Sequence, residues 1–93
     1  MSKFTLGRIY LTRGVNDTIA DKSSFAKFVT SSIKRHASGE WGNVCHEDRS
    51  ANEQALVEGS RLFSVYEEAE QPKIWIITES DRSVTTILFP DEY

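Results

Sequence analysis

Apolar residues recur along this chain with two different periods, and the changes of period divide it into elements. In residues 4–12, FTLGRIYLT, the apolar positions Phe4, Leu6, Ile9, Tyr10 and Leu11 predict a strand, bent at Gly7 and closed by Gly14. Val15, Ile19 and Ala20 then fall at helical offsets and predict one or two turns over residues 15–21. The segment SSFAKFVTSSIKRHASG carries Phe25, Phe28, Val29 and Ile33 as one apolar stripe, the mark of a helix lying on a core. Ser23 or Ser24 suits its N-cap. Lys34, Arg35 and His36 meet the negative end of its dipole, and Gly39 supplies a left-handed stop.

The next stretch, EWGNVCHEDRS, reads as a connection. Ser50 and Glu53 have the spacing of a reciprocal capping pair, and Ala51, Ala55 and Leu56 share one side before Gly59, so a shorter helix is expected over residues 50–59. Three strands follow. Residues 61–67 alternate, while residues 73–78 are apolar on both faces, as in a central strand. Residues 84–89 are similar and end at Pro90, which has no N–H for a ladder. The loops 68–72 and 79–83 have hairpin lengths. The expected fold is a single α+β domain spanning residues 1–93, in the order β-α-α-α-β-β-β. It has an N-terminal strand, two to three short helices and a three-stranded antiparallel meander packed under helices.

Composition limits what such a domain can do. A chain of 93 residues buries roughly 60–65% of its unfolded surface. Its 39% hydrophobic and 27% charged residues exclude a disordered tail or a fibre. No stretch approaches the roughly 18 apolar residues of a membrane span, and the charges scattered through MSKFTLGRIYLTRG argue against a signal peptide. The lone Cys45 cannot form an internal disulfide and fits a reducing cytoplasm. A phosphate-binding surface is usually basic. Here the net charge is −3, the only dense cationic spot is Lys34-Arg35-His36, and the C-terminal half is acidic. The charge therefore disfavours nucleic acid and points to another protein as partner. A weak nucleic-acid patch of Arg13, Lys34 and Arg35 is the remaining alternative, and the oligomeric state stays open.

The segments HASGEWGNVCHEDRSANEQAL, RLFSVYE and KIWIITESDRSVTTILFPDEY carry a resemblance. They are similar to a family of small bacterial proteins of plasmids and integrated elements, labelled plasmid-related protein or, misleadingly, type I restriction endonuclease subunit M. The likeness runs over residues 36–93 and more loosely over residues 4–11. Its most specific parts are Gly39-x-Trp41-Gly42 and the block from Trp75 to Ser83. It implies a setting on mobile elements and no particular chemistry. The methylase label has no physical basis, because 93 residues cannot hold a methyl-donor fold and no Gly-rich cofactor loop is present.

Three groups of residues are candidates for function. The first is the knot between the last two strands, with Glu79, Asp81, Arg82 and Ser83. With an imidazole from His36 or His46 it would form the acid, base and phosphate-binding cation of a small ribonuclease toxin. The plainer reading makes Asp81 and Ser83 turn formers and pairs Arg82 with Glu79 at the surface. The second is Cys45, His46, Glu47 and Asp48 with His36, which falls short of the usual zinc ligand set. Glu47 and Asp48 better suit a helix N-terminus, with Cys45 packed inward, and no metal or cofactor is expected. The third is Trp41, set between glycines. Exposed, it would anchor a partner; folded back, it would cover the core beneath Phe28 and Ile33. The leading expectation is a non-enzymatic protein-binding module with Trp41, Asp81 and Arg82 at its binding site. The ribonuclease using Glu79, Arg82 and a histidine is the alternative.

Overall fold

A computed structural model describes residues 2–93. The elements run β1 (Arg8–Leu11), α1 (Arg13–Asp21), α2 (Ser23–Ala37), α3 (His46–Glu58), β2 (Leu62–Tyr66), β3 (Ile74–Thr78), β4 (Val84–Leu88) and a 3₁₀ turn, Pro90–Glu92. This is the expected order. The sheet, however, is mixed: its strand order is β1-β4-β3-β2, with β2, β3 and β4 an antiparallel meander and β1 parallel to β4.

Two apolar clusters fill the space between sheet and helices. Val15 of α1 and Phe25, Phe28 and Val29 of α2 pack on Tyr66, Ile74, Ile76 and Ile87 of the sheet's inner face. A smaller cluster joins Trp41, Ala55 and Leu62, with Phe4, Val44 and Leu56 against it. Trp41 is buried, 1% exposed, but beneath α3 and Phe4 and not beneath Phe28 and Ile33. Its indole N–H donates to Glu53 Oε2 at 2.6 Å.

Several local expectations are corrected. α2 takes Lys22 as its N-cap, with no side-chain bond, because the single extended residue Lys22 separates it from α1. The true side-chain cap is Thr12 on α1, where the Glu92 carboxylate also accepts from Thr12 Oγ1 at 2.6 Å and from the Gly14 N–H at 2.9 Å. α3 begins at His46 with Cys45 as N-cap, so Ser50 lies inside the helix and Glu53 is used by Trp41. Cys45 is exposed, since capping turns it away from the core. Glu47 and Asp48 do occupy the first turn of α3, and Gly59 closes it in the left-handed region, φ 78°. Among the described residues no helix is long and apolar enough to cross a membrane.

Candidate binding face

The turn between β3 and β4 is held by its own residues. Asp81 Oδ1 accepts from the Ser83 N–H at 3.0 Å and from Ser83 Oγ at 2.6 Å, closing an Asx turn. Arg82 does not pair with the Glu79 carboxylate. Its guanidinium points back under the turn and donates to the carbonyls of Ser60 (2.6 Å), Ala55 (3.1 Å) and Glu79 (3.2 Å). A planar fork can satisfy several carbonyls together, and here it closes the C-terminal end of α3. The Glu79 carboxylate lies 3.8 Å from Arg61, a half-exposed and therefore weak ion pair.

His36 has no exposed surface, which takes it out of reach of any substrate. Both ring nitrogens are engaged: Nδ1 with Ser64 Oγ at 2.5 Å and Nε2 with Thr78 Oγ1 at 2.9 Å. Thr78 Oγ1 meets Thr85 Oγ1 at 2.7 Å, and Thr85 Oγ1 is 2.6 Å from the Leu6 carbonyl. The end of this chain fixes its direction. A carbonyl only accepts, so Thr85 donates to Leu6, Thr78 donates to Thr85, and His36 must donate from Nε2 to Thr78. Nδ1 is left to accept from Ser64. A second ring proton on Nδ1 would make the Ser64 hydroxyl turn and accept, giving up the bond that it donates to the neutral ring. Burial, together with the nearby Arg82 charge, lowers the His36 pKa from 6.5 to about 4. Phe4 lies between the two: its ring is 5.7 Å from the Arg82 Cζ and meets His36 edge-on at 5.3 Å. Half-buried Arg82 thus approaches fully buried His36 through the Phe4 ring, not across a cleft. His46 is exposed at the start of α3. Among the described residues no group of three or more His, Cys, Asp or Glu is placed to hold a metal.

A partly exposed aromatic group gathers on the other side of the sheet. The helices cover the inner face, and the register sets Phe63 opposite Ile77 and Val65 opposite Trp75 on the outer one. Phe63 and Trp75 meet edge-on with centroids 5.2 Å apart, and Tyr93 meets Trp75 at 5.7 Å. Arg61 stands over the Tyr93 ring at 5.6 Å and donates to its hydroxyl at 3.1 Å. With Asp48 and Ile77 these groups line a hollow of about 270 Å³. The linear sequence hides this face because Phe63, Trp75 and Tyr93 lie on separate elements. The signal was present in the alternation of β2, which sends Phe63 away from Leu62 and Ser64.

No family model, no curated protein and no solved structure matches the chain.

Proposed function

We propose that the protein is a non-enzymatic binding module that docks another protein on the outer face of its sheet. One observation carries the reading: Phe63, Trp75 and Tyr93 form an aromatic cluster beside Arg61 at a surface hollow, and Tyr93 is still 71% exposed. Aromatic and arginine side chains in such hollows supply most of the binding energy at protein interfaces. The partner chemistry that fits is an apolar or aromatic anchor flanked by a carboxylate able to displace Glu79 from Arg61. Asp48 and Glu79 beside Arg61 oppose a phosphate backbone. The role of accessory protein on plasmids or other mobile elements belongs to the same proposal and is supported by the sequence resemblance alone, while a reducing cytoplasm is supported by the lone thiol of Cys45.

The test is affinity capture from a plasmid-bearing bacterial host, followed by titration of the captured protein. Trp75→Ala should weaken binding by about thirtyfold, the loss usual for a hot spot. Val57→Ala, at a position 88% exposed and on α3, should leave it unchanged. A partner held equally well by Trp75→Ala, with its far-UV circular dichroism intact, would remove the proposal.

A further inference from the structure

β1 and β2 are the two edges of the sheet, and the chain treats them differently. The outward groups of β2 are all occupied. Asn52 of α3 acts as a strand would, its amide donating to the Phe63 carbonyl at 2.6 Å and its Oδ1 accepting from the Phe63 N–H at 3.0 Å. The Val65 N–H donates to the Trp41 carbonyl at 3.2 Å, and the Val65 carbonyl accepts from the Asn43 N–H at 2.6 Å. Among the described residues β1 has no such cover. The N–H groups of Arg8 and Thr12 donate inward to Ser83 and Ile87. The two-residue repeat of the ladder then turns the N–H and C=O of Ile9 and Leu11 outward. Ile9 is 46% exposed and Tyr10 48%, on opposite faces of the strand. An uncovered edge with apolar side chains is a template for another strand.

We propose that β1 pairs antiparallel with β1 of a second copy of this chain, about a two-fold axis at Tyr10, joining two sheets into one. The register follows from the groups that point outward. Ile9 of each copy exchanges both hydrogen bonds with Leu11 of the other, which uses every free donor and acceptor of the strand. Tyr10 then faces Tyr10 in the closer, non-hydrogen-bonded pairing, with Cα atoms about 4.5 Å apart. Arg8 falls opposite Thr12, so no like charges meet directly. Centring the axis on Ile9 instead would pair Leu11 with Gly7, whose φ of 67° takes it out of the extended conformation. The edge is complementary to itself, and this favours a second copy over a foreign strand. The hollow at Trp75 lies two strands away, so the inference stands independently of the docking proposal.

Sedimentation velocity over a concentration series tests it. The full chain should move from monomer toward dimer as concentration rises. Tyr10→Glu and Tyr10→Lys each set like charges across the axis and should raise the dissociation constant at least about tenfold. Mixing the two variants should restore association, because only this register brings residue 10 against residue 10. Ile9→Pro removes an outward N–H that the fold does not use, a position where an edge strand tolerates proline, and should also leave monomers. A wild-type chain that stays monomeric throughout, an unrescued mixture, or a dimer indifferent to both Tyr10 variants would each overturn the proposal. Pairing with a foreign strand alone would appear as the first of these.

Discussion

His36 is where a single residue decides most. Its imidazole ties α2 to β2, β3 and, through Thr78 and Thr85, to the carbonyl of Leu6. Burial and the nearby Arg82 charge favour the neutral ring, and this gives a pH dependence with a definite sign. Between pH 6.5 and about 4 the unfolded chain takes up a proton that the folded protein refuses. The stability owed to neutral His36 is therefore complete above pH 6.5, falls as pH drops through that window, and is exhausted near pH 4. The shift corresponds to a loss of about 3 kcal/mol. The carboxyls of Asp81 and Glu92 are held below their ordinary values, first by the hydroxyls of Ser83 and Thr12 respectively, so they add to the loss only at lower pH. Urea midpoints measured from pH 7.5 down to 4.5 should fall steadily in the wild type and be nearly flat in His36→Gln. A parallel fall in both would show that other groups set the slope. Tyr66, whose hydroxyl donates to the Glu40 carbonyl at 2.6 Å, is pushed up to about 12 by burial and stays neutral throughout.

At the scale of elements, the structure shows why some of the fold was legible and some was not. α2 was readable because it lies flat on the sheet and buries a full stripe, Phe25, Phe28, Val29 and Ser32. α3 starts four residues before its sequence pattern does, because it lies along an edge and buries only Asn52 and Ala55, leaving no apolar repeat to mark its first turns. The meander announced itself through short loops. The parallel partnership of β1 with β4 joins the two ends of the chain, and no local pattern encodes it. The same holds for the candidate binding face, assembled from Arg61, Phe63, Trp75 and Tyr93 only once the strands are in register. Asn52 illustrates a polar residue whose meaning is purely tertiary, since it stands in for the strand that β2 lacks. Asn52→Ala should destabilise the protein by about 2 kcal/mol, because both main-chain groups of Phe63 lose their partner beside the buried Leu62. Chemical denaturation gives the number, and a change below about 0.5 kcal/mol, the range of ordinary surface substitutions, would mean that water replaces the amide at no cost.

For the molecule as a whole, the question is whether two apolar clusters behave as one core. The larger is built from α1, α2 and the inner sheet, the smaller from Trp41, Ala55 and Leu62 under α3. Three connections cross between them. β2 supplies Leu62 to one cluster and Tyr66 to the other. Phe4 stacks on Trp41 at 6.2 Å and meets His36 edge-on. Gly42 approaches so closely that an added Cβ would sit 2.0 Å from the Val65 carbonyl oxygen, locking the Trp41 segment to the strand. Losing the smaller cluster would strip cover from His36, and an exposed imidazole would no longer hold the hydroxyls of Ser64 and Thr78 in line. The two should therefore unfold together, as small domains do. Trp41 and Trp75 sit on opposite sides of the question, one inside the smaller cluster and one on the outer face of the central strand. Trp75→Phe leaves Trp41 as the only indole, and Trp41→Phe leaves Trp75. In each variant the fluorescence midpoint in urea should coincide with that variant's own circular dichroism midpoint. A Trp41 signal lost ahead of the secondary structure would show instead that α3 and its cluster open as a separate unit.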